Sequence, residues 1–135
     1  MRITRLLAAV AVAATVVGGV VACSDGSPAV TTVSVADAPS VLDDAGLTVI
    51  DVRTPAEFSS GHLAGAINID AEASGFTSAI EALPKDGEYL VYCHSGNRSR
   101  TATAQMAGLG FTHVYDLDGG VAAWAAGGGA LVTGA

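Results

Sequence analysis

The chain has 135 residues, enough for one domain with a sizeable core and too few for two. Half of it is apolar but only 5% is aromatic, so a core must be built from Val, Ala, Leu and Ile rather than from large rings. A formal charge of −7 argues against nucleic acid as a partner and against electrostatic docking on anionic lipid.

Residues 1–22 read as a segment apart from the fold. Arg2 and Arg5 form a basic start, and Leu6–Val21 is apolar or small apart from Thr15. Small residues then run up to Cys23, the pattern of a secretory signal. The run falls short of the ~20 residues that a transmembrane helix needs. Its ending, Val20-Val21-Ala22-Cys23, resembles the lipobox of bacterial lipoproteins, with Val rather than Leu in first position. That resemblance implies that Cys23 is acylated and that the protein is exported, anchored on the membrane and faced away from the cytoplasm. An uncleaved membrane anchor and a secreted or periplasmic soluble protein are the alternatives. Without residues 1–22 the chain keeps 4 cationic against 13 acidic side chains, a charge of −9, so membrane attachment would come from the acyl chains. Residues 23–30 then form a short polar tether that carries the lipidated cysteine.

Cys23 and Cys93 are the only cysteines. With Cys23 acylated, Cys93 has no partner in the chain and stays a free thiol, a liability in an oxidising compartment unless it is buried or used. No second Cys or His lies at metal-ligand spacing, so neither a metal nor another cofactor is expected.

The domain is read over residues 31–130. Thr31–Val35 is β-branched and suits a first strand, and Asp37 is placed to cap a helix that runs to Ala45 and stops at Gly46. Leu47–Val52 reads as a buried strand. Thr54-Pro55-Ala56-Glu57 combines a cap residue, proline at the first helical position and an acid in the first turn, a strong helix start that runs to Gly61. Ala66–Ile69 gives a short third strand. Gly75–Leu83 puts Phe76, Ile80 and Leu83 on one helical face, closed by Pro84. Glu88–Tyr92 is a fourth strand, Ser99–Leu109 a helix, His113–Leu117 a last strand, and Gly119-Gly120 opens a short helix with Trp124 in the core. Strands that alternate with helices imply a mainly parallel sheet covered on both faces, with ligands at the carboxyl ends of its strands.

Cys93 falls at such an end. The stretch Val91–Arg100 delivers a lone thiol from an apolar strand into a loop of small and polar residues, Cys93 to Arg98, and then into a helix N-terminus. Unsatisfied N–H groups and the positive end of the helix dipole both stabilise a thiolate or a bound anion. A buried, inert cysteine before a turn fits the same stretch.

Three motifs decide the matter. Asp51-Val52-Arg53-Thr54-Pro55-Ala56-Glu57-Phe58 followed by Gly61-His62-Leu63-Ala64-Gly65-Ala66-Ile67-Asn68 resembles the D-V-R…E-F…G-H-I-x-G-A-x-N signature of rhodanese-like domains. Cys93–Ser99 resembles their C-x-x-G-x-R-S active loop, and Asp118-Gly119-Gly120 with Trp124 resembles their closing G-G…W motif. The resemblance runs from about Val30 to Gly128. It implies an α/β fold with a parallel five-stranded sheet and helices on both faces, and a sulfurtransferase in which Cys93 takes a sulfane sulfur as a persulfide. The donor would be thiosulfate or a persulfide and the acceptor a thiol or cyanide. A monomer is expected, although the sequence carries no signal for oligomeric state.

By position, His94, Ser95, Gly96, Asn97, Arg98 and Ser99 form the cradle around the sulfur, acting mostly through backbone N–H groups. Arg98 either attracts an anionic substrate or pairs with an acid. Arg53 is expected near the pocket rim, paired with Glu57 at helical spacing. Asp51 reads as a scaffold that holds loop backbone or an arginine, and His62 as a hydrogen-bonded framework residue. His94 and Ser95 stand where thiosulfate-selective members often carry basic residues, and Ala64 stands where proline is usual. Two other functions compete. One is a Cys-dependent phosphatase, whose related loop is one residue longer, C-x5-R against C-x4-R here. The other is a non-enzymatic sulfur-binding or redox-sensing domain, a type that usually lacks the cysteine.

Overall fold

The computed structural model describes residues 28–135. The signal segment, Cys23 with its acylation and most of the tether lie outside these residues. Ten elements follow in chain order: β1 (Val30–Val33), α1 (Ala38–Leu42), β2 (Leu47–Asp51), α2 (Pro55–Ser60), β3 (Ile67–Asn68), α3 (Phe76–Glu81), β4 (Glu88–Tyr92), α4 (Asn97–Gly108), β5 (His113–Leu117) and α5 (Gly120–Ala126). The strands form a single sheet in the order β1-β5-β4-β2-β3, and every pairing is parallel. This is the α/β arrangement expected from the alternation of elements.

The central strand β4 is buried along Tyr89–Tyr92, as a parallel strand covered on both faces must be. Its side chains divide between two cores. On one face Tyr89, Val91 and Cys93 pack with Phe76 and Ile80 of α3 and with Ala102 and Met106 of α4. On the other, Leu90 and Tyr92 pack with Ala38 of α1 and Val121 of α5. Period-two alternation therefore aims Cys93, one residue beyond the strand, at the α4 face.

Several local expectations give way to packing. Val30, read as the end of the tether, already belongs to β1, in register with Val114 of β5. Asp37 stands at the N-cap of α1 but makes no side-chain cap bond, because its backbone is helical (φ −92°, ψ −18°). Its carboxylate instead accepts the Ser34 hydroxyl at 2.7 Å, and the helix stops at Leu42 rather than Ala45. Trp124 is half-buried at the edge of the second core, not inside it, and its indole N–H donates to Ala130 O at 2.9 Å. Beyond residue 130 the chain still packs on the domain, since Val132 and His62 exchange two backbone hydrogen bonds of 2.9 Å.

Candidate active site

The start of α2 shows how a local signal anchors a distant contact. Thr54 and Glu57 form a complete capping box: the Glu57 carboxylate accepts the Thr54 N–H at 3.0 Å, and Thr54 Oγ1 accepts the Glu57 N–H at 3.4 Å. The same carboxylate takes both arms of the Arg98 guanidinium, at 2.8 and 2.9 Å. Arg98 reaches Glu72 as well, at 3.5 Å. Hydrogen bonding from Arg98 holds the Glu57 carboxyl down at about 2, with the Thr54 bonds acting in the same direction against partial burial.

Arg53 does not pair with Glu57. Thr54 is the N-cap, so Arg53 lies before the helix, where helical spacing has no meaning. Its guanidinium instead folds back on Asp51, with Nη2 to Oδ2 at 2.6 Å, and also donates to Gly61 O at 2.6 Å. Both partners are buried. Burial works against the Arg53 charge, but its hydrogen bonds to Asp51 and the charge of that carboxylate outweigh it and raise its affinity for the proton. Asp51 thus holds an arginine and, through Oδ1, the Arg53 N–H at 2.9 Å. Asn68 ties this corner together by donating to the carbonyls of Asp51 and Arg53 at 3.0 and 2.8 Å. His62 stacks on Phe58 with ring centroids 3.7 Å apart, and its Nδ1 meets Phe58 O at 2.9 Å.

The loop after β4 is shorter than the sequence suggests. Gly96 is the N-cap of α4, so Asn97, Arg98 and Ser99 occupy the first helical turn. Gly96 has φ +103°, a conformation open to glycine, and this turns its N–H onto Cys93 Sγ at 3.1 Å. The Ser99 hydroxyl lies 3.6 Å from Sγ and donates to Gly96 O at 3.2 Å. His94, Ser95 and Asn97 are exposed, whereas Gly96 and Ser99 are buried and Cys93 is only 1% exposed. Burial pushes the Cys93 thiol up. Hydrogen bonding from the N–H and hydroxyl of Ser99 and from the N–H groups of Gly96 and Ser95 more than offsets it, leaving the thiol below its ordinary value.

Cavities flank this loop on both sides. One, of about 420 Å³, is lined by Arg53, Glu57, Gly61, His94 and Ala122; the other, of about 350 Å³, by Glu72, Phe76, Asn97, Arg98 and Thr101. The Glu57–Arg98 pair contributes one partner to each.

The loop carbonyls need partners of their own, and α5 supplies them. Val121 N–H donates to Cys93 O at 2.9 Å and Ala122 N–H to His94 O at 3.0 Å. With these carbonyls held outward, the N–H groups converge inward on sulfur. The approach depends on Gly120, which has φ +61° and where a Cβ would be driven into the carbonyls of Cys93 and His94. A Cβ at Gly119 would lie 2.6 Å from that of Ala123. The double glycine was legible as a helix opening; its contact with the thiol loop was not.

Gly120→Ala should therefore cost about 1–3 kcal/mol in thermal or denaturant unfolding, and should raise the pH midpoint of Cys93 alkylation as the loop N–H groups lose their aim. For Glu57 the sign follows from a folded value of about 2 against the ordinary 4.5: its stabilisation is present above pH 4.5 and fades as pH falls from there towards 2. Exposure screens the pair, leaving about 1 kcal/mol at neutral pH, or about 4–8 °C in Tm. Paired melts of wild type and Glu57→Gln should show that deficit at pH 7 and little of it near pH 2.

Comparison with known proteins agrees with this geometry. Residues 34–127 match the Rhodanese-like domain family. A thiosulfate sulfurtransferase GlpE from Pseudomonas entomophila is 37% identical over 79 residues, 58% of this chain and 71% of that protein. The chloroplastic thiosulfate sulfurtransferase 16 of Arabidopsis thaliana is 42% identical over 91 residues, 60% of this chain and 76% of its own length. The crystal structure of a rhodanese-related protein from Thermoplasma volcanium superposes with a TM-score of 0.67 at 33% identity, covering 75% of this chain and 96% of that one. A parallel five-stranded sheet that delivers a hydrogen-bonded thiol to a glycine-turned loop, matched over most of the described residues, makes this chain a member of the rhodanese-like family.

Proposed function

We propose that this protein is a sulfurtransferase that carries a sulfane sulfur on Cys93 from a donor such as thiosulfate or a persulfide to a thiol or cyanide acceptor. The observation that carries the reading is the convergence of loop N–H groups on Cys93 Sγ, led by Gly96 at 3.1 Å. Such a ring favours a thiolate over a thiol, and the thiolate is the nucleophile.

The Cys93 thiolate attacks the outer sulfur of the donor, and a new S–S bond forms as the donor's own S–S bond breaks. Sulfite, or the donor thiolate, leaves with the electron pair, and Cys93 is left as a persulfide anion. That charge sits on the terminal sulfur, where the same fixed N–H dipoles can act on it. The acceptor then attacks the terminal sulfur, and the Cys93 thiolate is released in its starting state. No proton needs to be gained or lost when the acceptor enters as an anion.

A phosphatase reading is less well served. Bidentate recognition of a phosphate needs a free guanidinium fork, and the Arg98 fork is closed on Glu57.

Incubation with thiosulfate or a low-molecular-weight persulfide should add about 32 Da to the Cys93 peptide. Cyanide should then discharge it as thiocyanate, and Cys93→Ser should show neither event. Hydrolysis of a phenyl phosphate with no adduct from any sulfane donor would refute the reading.

The export reading rests on residues 1–23. The basic start, the apolar run and a cysteine at the expected cleavage point support a lipid anchor on Cys23. Cys23→Ala should release the protein from the membrane fraction on cell fractionation, whereas unchanged retention would indicate an uncleaved helix.

A further inference from the structure

Two carboxylates, Asp51 and Asp116, are buried among the described residues. Asp51 holds Arg53, but Asp116 Oδ1 is enclosed and has no hydrogen-bond partner. An unpaired carboxylate oxygen is costly to keep from water, and the cost falls when the group holds a proton.

Asp116 lies on β5, in register with Val91 of β4 and Thr32 of β1. Strand alternation sets it on the same face as Val114, which packs in the cluster that includes Cys93, Ala102 and Met106. The carboxyl therefore lies under the start of α4, where Ser99 and Arg100 face it; Asp118 faces it from the end of β5. Its register partners Thr32 and Val91 carry no charge. Burial raises the affinity of Asp116 for its proton, Ser99 and Arg100 lower it, Asp118 raises it further, and the balance lies upward.

Ser99 links this group to the sulfur. Its hydroxyl stands 3.6 Å from Cys93 Sγ and neighbours Asp116, and it rests on Gly96 O at 3.2 Å, a carbonyl that the Arg100 N–H also serves. A hydroxyl has one proton to give and two lone pairs to accept with, so turning it from Gly96 O lets it serve either the sulfur or the carboxylate as donor, not both, and leaves Gly96 O with the Arg100 N–H.

We propose that Asp116 is a positioning residue for the Cys93 thiolate, acting through Ser99 and holding one exchangeable proton in common with the thiol. In one arrangement the Asp116 carboxylic acid donates to Ser99 Oγ, and the Ser99 O–H turns onto the thiolate. In the other the Ser99 O–H turns to the Asp116 carboxylate, and Oγ accepts from the Cys93 S–H. Passage between them breaks the S–H bond as Ser99 takes that proton and hands its own to the carboxylate. The pair keeps a net charge of −1 throughout, and no oxidant or reductant takes part. Cys93 can thus become a nucleophile without releasing a proton to solvent through a nearly closed site. The inference rests on the reading of Cys93 as nucleophile, but its test follows the thiol itself, whether or not sulfur is transferred.

The experiment is the rate of Cys93 alkylation by iodoacetamide against pH, read by mass spectrometry of the Cys93 peptide from the full chain. Wild type should rise in two steps, as coupled groups do. Asp116→Asn, which keeps the shape and cannot ionise, should rise in one step with its midpoint at least about half a pH unit lower, roughly threefold more thiolate below the midpoint. In a Ser99→Ala background the same substitution should move the midpoint by only a small part of that. An unmoved midpoint in Asp116→Asn would assign the residue a purely structural role and overturn the proposal. An equal shift with and without Ser99 would overturn it too, by showing charge acting across space. Should Asp116→Asn fail to fold, carboxyl-carbon NMR of the wild type decides. Linkage is reciprocal, so alkylating Cys93 should move the Asp116 titration to lower pH, and an unmoved titration counts against the proposal.

Discussion

The contact on which the site depends is between backbones: the N-terminus of α5 against the carbonyls of Cys93 and His94. A loop that turns several N–H groups towards one atom must turn its carbonyls elsewhere, and a buried carbonyl without a donor is expensive. The first N–H groups of a helix are themselves without intrahelical partners. Joining the two satisfies both, and it fixes the loop in the one orientation that surrounds Sγ with donors. Gly119 and Gly120 allow it because neither position has room for a Cβ. A motif 26 residues downstream of the cysteine therefore belongs to the active loop as firmly as the loop's own glycine does.

A second feature follows from the same economy of charge. Arg53 and Arg98, the arginines nearest the motifs, are both committed to carboxylates. The hydrogen bonds at the sulfur come from peptide N–H groups held rigid by α4 and α5, with the Ser99 hydroxyl as the adjustable member, while the Arg98 charge acts on it from farther out. Fixed dipoles need no reorganisation when charge appears on sulfur, and they act most strongly where water is excluded. Cys93 at 1% exposure meets that condition. Ion pairs farther out do mechanical work: Asp51–Arg53 holds the corner after β2, and Glu57–Arg98 joins the first turn of α2 to the first turn of α4.

What could be read from the sequence was local. The capping box at Thr54–Glu57, the apolar runs of β2 and β4 and the face of α3 are signals spread over four to nine neighbouring residues, and the structure contains each of them. The wrong readings came where a local rule met a competing partner, near or distant. Spacing offered Arg53 to Glu57, but Arg53 precedes the helix, and the partner that arrives is Arg98, 41 residues away. Asp37 has the composition of a cap, yet Ser34 and the helical backbone at Asp37 take that role from it. Strand alternation puts Asp116 on the same face of β5 as Val114, the face that α4 covers. Only the packing shows that nothing inside pairs with its Oδ1.

Loop length acquires a physical meaning once the helix start is known. Because α4 begins at Asn97, the residues after Gly96 are already wound into a helix, and the donors around Sγ come from Ser95 and Gly96 and from Ser99 in the first helical turn. The loop's donors already meet Cys93 Sγ. Arg98, on the second helical residue, leans outward across α2, where the Glu57 carboxylate holds both arms of its fork. Bringing that guanidinium inward for a tetrahedral oxyanion would break two charge-assisted hydrogen bonds and leave Glu57 with only its cap contacts. A group of one heavy atom asks for neither change. On the proposed function, the short loop and the engagement of Arg98 with Glu57 are why sulfur suits this site better than phosphate.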